Sequence, residues 1–194
     1  MKRANTIRFR LALPLALVIG CTGCFGPPQA EIAEALTMAR LLREVAPESA
    51  SLLLEEEHLS HELKIMLDEA KLDPVDKFKE FEPDVEKLHR IRDRRFALQN
   101  RVRQGISRTP LVNVVQDDAI QYFQEQLNRD DGWLQLIANI RLRESLKHGT
   151  DFPEASALNQ SLELFNGETK EEPMASQILT LQAEYGFTDE DIGL

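Results

Sequence analysis

The stretch Leu52–Ala70, "LLLEEEHLSHELKIMLDEA", decides the fold. Leu52, Leu59, Leu63, Met66 and Ala70 recur at steps of three, four and seven, which stacks them on one side of an α-helix. Between them stand Glu55, Glu56, Glu57, Glu62, Asp68 and Glu69, on a helix predicted over about 48–72. The surroundings agree. No glycine occurs from Pro27 to Gln104, although the turns of a sheet usually require glycine. Pro74 and Pro83 each follow an acidic residue, and proline at the first helical position removes an N–H that would have had no partner.

The same reading predicts a helix over about 28–46 that stops before Pro47, a short one at 74–80 and a long one at 83–106. Four more follow at 115–130, 132–148, 153–166 and 172–185. Asp131 or Gly132 is the expected break between two of them, and Gly149, Gly167 and Gly186 stand where glycine ends helices. The expectation is an all-α, antiparallel helical bundle with a long N-terminal helical hairpin and a C-terminal cluster of shorter helices. The segment 107–113 is the expected seam. Thr188 is placed to cap a last turn with Asp191, with Phe187 folded back behind Gly186.

The N-terminus has a different character. Lys2, Arg3, Arg8 and Arg10 precede an apolar run, Leu11–Ile19, interrupted by Pro14. A basic start, a short apolar core and small residues make an export signal, and the run falls short of the ~20 residues of a spanning helix. The only cysteines, Cys21 and Cys24, close this run. A haem attachment needs His next, where Phe25 stands, and a zinc site needs two further ligands.

Val18-Ile19-Gly20-Cys21 resembles the lipobox of bacterial lipoprotein signal peptides. The resemblance spans about the first 24 residues. It implies lipid attachment at Cys21, with Cys24 as the alternative frame, and cleavage before the modified cysteine. Residues 1–20 would then be signal peptide, 21–29 a lipid-anchored stalk and 30–194 one acidic helical domain. Ordinary cleavage near Gly23, releasing a soluble exported protein, is the other reading. Lipidation implies the cell envelope, at the periplasmic face or the outer membrane.

The whole chain carries −10. Without residues 1–20 it has 19 Lys and Arg against 33 Asp and Glu, or −14. That balance argues against nucleic acid as a partner. Against it stands Lys87–Arg108, with eight cations and one acid, Asp93. This stretch reads either as a ridge for an envelope protein or anionic polymer, or as the complement of the acids on 48–72.

Two sets of residues are candidates for chemistry. On a helical wheel Arg95 lies inside the face made by Val85, Leu88, Val102 and Ile106, with Arg92 at its border. Glu56 lies inside the face of Leu52, Leu59, Leu63 and Met66. A charge on a buried face requires a partner, so Glu56 is expected to pair with Arg95 or Arg92. The second set is Glu55-x-x-His58 and Glu86-x-x-His89, which share the spacing of carboxylate-bridged metal sites in helical bundles. Glu34 and Glu125 are the available further carboxylates. The wheels place Glu55 and His58 beside the apolar face and Glu86 away from it. No cofactor is called for, and no nucleophile elbow, P-loop or dinucleotide fingerprint occurs. The leading expectation is a non-enzymatic envelope protein acting through its helical surface. A metal- or small-ligand-binding bundle is the alternative, and an enzyme without a recognisable motif is the third.

Overall fold

The computed structural model describes residues 26–69, 82–105, 107–145 and 173–193. Cys21, Cys24 and the helices expected at 74–80 and 153–166 lie outside the described residues. Among the described residues four helices carry the architecture: α1 Gln29–Glu69, α2 Glu82–Arg103, α3 Pro110–Ser145 and α4 Met174–Tyr185. The described residues contain no strand, and the fold is all-α, with the four helices packed against one another.

Two expected breaks do not occur. The helices foreseen on either side of Pro47 form one helix of 41 residues, about 60 Å long. A proline inside a helix typically costs ~3 kcal/mol, and the packing outweighs it. Residues 35, 38, 42, 45, 49, 52, 56, 59 and 63 are all buried. Their steps alternate between three and four without a fault at Pro47, whose own side is exposed. That seven-residue repeat is the seam of a coiled-coil-like helix, and interrupting it would uncover one half of the core. The second break, at Asp131 or Gly132, fails for the same reason. Buried residues 112, 116, 119, 123, 126, 130, 133 and 137 keep the same alternation through α3. A helical glycine costs only about 1 kcal/mol, too little to stop it. The chain beyond 107 therefore holds a helix of 36 residues instead of beginning with two short ones.

Pairs of contacting residues fix the directions. Glu44 meets Arg101, Glu48 meets Arg94 and Glu56 meets Arg95, so α1 and α2 run antiparallel. Arg95 meets Asp130 and Gln99 meets the Ile120 carbonyl, so α2 and α3 do too. α2 has Glu82 and Asp84 in its first turn and Arg101 and Arg103 in its last, which complements the helix dipole at both ends.

The connection from α2 to α3 is short, 104–109, and α3 begins at Pro110 rather than at 115. Gly105 lets it pass close to α1, because a Cβ there would stand 3.2 Å from Met38 Cε. Gln116 of α3 donates to the carbonyls of Val102, at 2.7 Å, and Gly105. It thereby satisfies acceptors that the end of α2 leaves open.

α4 packs against α1. It ends at Gly186, whose φ of 71° is left-handed and whose N–H donates to the Gln182 carbonyl at 2.9 Å. Phe187 and Ile192 then turn inward and are buried. The Thr188 N–H and hydroxyl both donate to the Asp191 carboxylate, at 2.8 and 3.0 Å. Arg40 and Arg43 of α1 hold this turn by donating to the carbonyls of Asp191 and Ile192.

Candidate functional site

The charged residues foreseen on the apolar faces occupy the middle of the bundle. Glu56 comes from α1, Arg95 from α2, and Arg129 and Asp130 from α3. Glu56 and Asp130 are 0% exposed and Arg95 is 2% exposed. Arg95 Nη2 donates to Glu56 Oε2 at 2.9 Å, and Nη1 donates to Asp130 Oδ1 at 2.5 Å. Nη2 also reaches the Leu52 carbonyl at 3.3 Å. Arg129 Nε stands 2.6 Å from Glu56 Oε1. The four formal charges sum to zero, the condition under which a buried group of ions is tolerable.

Arg92, at the border of the helical face, does not join Glu56. It lies over Asp131 at 2.5 Å, where both side chains are partly exposed. The residues missed by sequence reasoning are Arg129 and Asp130. Asp130 is the last residue of the helix expected over 115–130, so no apolar residue beyond it in that helix marked its side as buried. The unbroken alternation through 126, 130 and 133 is the signal that places it inside.

The electrostatics of this cluster are uneven. Burial pushes the Asp130 carboxyl up to about 7; Arg95 opposes the shift, and the Glu56 and Asp131 carboxylates add to it. Its Oδ2 has no hydrogen-bond partner among the described residues. Burial disfavours the Arg95 charge, but Asp130 and Glu56 outweigh that, and the guanidinium is held above its ordinary range. The arrangement therefore contains one group able to exchange a proton near neutrality and two fixed cations around it. Such a group is suited to proton-linked stability.

A second cluster gathers at the turn between α2 and α3. Glu34 Oε2 accepts the Ser107 hydroxyl at 2.8 Å, the Arg108 N–H at 2.8 Å, and the Thr109 N–H and hydroxyl at 3.1 and 2.8 Å. These donors, the Arg108 N–H foremost, lower the Glu34 carboxyl to about 2. Glu34 is thus committed to clamping the start of α3.

The residues with metal-site spacing do not converge. Glu55, His58, Glu86 and His89 are all exposed. Glu55 accepts from Ser51 at 3.2 Å and stands 3.5 Å from Arg94, and His58 stands 3.4 Å from Glu62. Among the described residues, no three side chains of His, Cys, Asp or Glu are grouped to hold a metal ion.

The cations of Lys87–Arg108 are largely matched within the fold. Lys87 meets Asp84, Arg92 meets Asp131, Arg94 meets Glu48 and Glu55, and Arg101 meets Glu44. Arg90, Arg103 and Arg108 form no ion pair among the described residues. No helix among those residues is long and apolar enough to cross a membrane.

The chain matches no known protein family, no curated protein and no solved structure.

Proposed function

We propose that this chain is an exported envelope protein, anchored by lipid on Cys21, whose helical domain acts by contact rather than by catalysis. The observation that carries the reading is Val18-Ile19-Gly20-Cys21 closing a short apolar run behind a basic start. The position of the domain supports it. Gly26–Gln29 are exposed and α1 begins at Gln29, so a lipid on Cys21 would hold the bundle eight residues from its anchor. A lipid chain contributes about 0.8 kcal/mol per buried methylene, and stable anchoring takes more than one chain. The diacylglycerol that the resemblance implies meets that requirement.

A contact role is supported by how the charges are used. The buried cluster is internally neutralised, and Glu34 is committed to a turn. The surface left for a partner includes Arg90, Arg103 and Arg108, which offer an acidic envelope protein or anionic polymer a place on an otherwise acidic body.

Metabolic labelling with a fatty-acid analogue tests the anchor. Label is expected on the wild type and on Cys24→Ala, and lost on Cys21→Ala. Label lost on Cys24→Ala and kept on Cys21→Ala would move the anchor to Cys24. Absence of label from all three chains would remove it.

A further inference from the structure

The buried side of α3 carries two oxygens without a donor. Gln126 and Asp130 stand four residues apart in that helix and are 5% and 0% exposed. Side chains at this spacing are neighbours on one side of a helix, with Cβ atoms about 5–6 Å apart. Gln126 Oε1 and Asp130 Oδ2 are both closed to solvent, and neither accepts a hydrogen bond from any described group, the Trp133 indole included. Leaving a buried acceptor unserved is costly, and here there are two, one turn apart.

One proton removes both defects. On Oδ2 it turns a group that can only accept into one that donates, and the acceptor one turn back is Gln126 Oε1. Oδ1 keeps its bond from Arg95. The charged groups around Asp130 are Glu56 from α1, Arg95 from α2, and Arg129 and Asp131 on α3 itself. The single charged residue of α4, Glu184, is exposed and adjoins Tyr185, whose charged neighbours on α1 are Glu31 and Glu34. We infer that Gln126 and Asp130 share a buried proton: Asp130 Oδ2–H donates to Gln126 Oε1, and Gln126 is the positioning residue that holds the acid form. Burial favours that form, Arg95 opposes it and Glu56 adds to it, with the balance at about 7. As pH rises through this range the proton passes to water, the hydrogen bond is lost, and both oxygens again lack a donor. The middle of α3 thereby carries a pH-sensitive contact, independent of any anchor at Cys21.

The test is carboxyl-carbon NMR titration of Asp130 in the full chain, in detergent micelles. Gln126→Met keeps the length of the side chain and removes the acceptor. It should weaken proton binding at Asp130 by about fivefold, the weight of one neutral hydrogen bond, and so lower the midpoint. Gln121→Met makes the same change on the exposed side of α3 and should leave the midpoint where it is. A second measurement keeps residue 126 intact. In Asp130→Asn the side-chain N–H takes the place of the O–H, while the amide oxygen stays with Arg95. A scalar coupling across the hydrogen bond from that N–H to Gln126 Cδ is expected. The proposal is overturned if Gln126→Met leaves the midpoint unchanged or raises it, if Gln121→Met lowers it as much, or if Asp130→Asn shows no such coupling.

Discussion

Glu34 and Asp130 are both carboxylates held between helices, and the fold drives them in opposite directions. Glu34 sits at the α2–α3 turn, half open to water, where one oxygen accepts four donors from three consecutive residues. Asp130 sits in the middle of the bundle, fully buried, where one oxygen receives a guanidinium and the other nothing among the described residues. The first falls to about 2 and the second rises to about 7. A carboxylate stays charged where donors converge and water still reaches it. It resists charge where water is removed and a second carboxylate, Glu56, stands nearby. Both interactions join helices, but they respond to pH with opposite signs.

Glu34 has a folded value below its ordinary 4.5. Its contribution is present above pH 4.5 and is lost as pH falls toward about 2. Asp130 has a folded value above its ordinary 3.8. Its contribution is fully present below about 3.8 and is lost as pH rises through about 7. Taken together, these two groups favour the fold most near pH 4–5.

The largest effect should come from Arg95→Ala. It leaves Glu56 and Asp130 buried with only Arg129 nearby, and breaking a buried ion group in this way typically costs about 3–5 kcal/mol. Urea unfolding at pH 7 measures it. A loss below about 1 kcal/mol, the level of an exposed pair, would mean that water reaches the cluster. Asp130→Asn comes next. Wild type is expected to lose stability from pH 5 to pH 8, by an amount on the order of a few kcal/mol at most. The variant should flatten that slope while keeping its fold. An identical slope in both chains would assign the pH dependence to other groups.

Glu34→Gln should lower the unfolding temperature at pH 7, and the loss should shrink toward pH 2, where wild type is itself about half protonated. An equal loss at both values would show that shape, not charge, matters at the turn. Arg40→Ala removes two hydrogen bonds to the Asp191 carbonyl. It should cost about 1 kcal/mol and speed amide exchange in 187–193, with α2 and α3 unaffected.

The same contrast bears on what could be read from the chain. Fold class was legible because the apolar spacing in Leu52–Ala70 and the glycine-free stretch around it admit little but helix. Helix number was not. Pro47 and Gly132 are strong local signals, and each was overruled by a heptad alternation extending far on both sides. The positions of Glu56 and Arg95 inside apolar faces were visible on a wheel, since a face depends only on spacing. The placing of Asp130 required knowing that α3 continues past it. Glu34 was beyond reach, because its donors are backbone and hydroxyl groups of a turn some 75 residues away. The capped end at Gly186, Thr188 and Asp191 was legible, since all of its partners are local.

The central claim is that burial, against the pull of Arg95, leaves Asp130 with a proton to exchange near neutrality. Carboxyl-carbon NMR titration of the folded chain, with Asp130 assigned by the loss of its signal in Asp130→Asn, measures this directly. A midpoint at about 7 is the predicted result. A midpoint at or below about 4, the ordinary carboxylate range, would mean that the guanidinium prevails over burial, and would contradict the account.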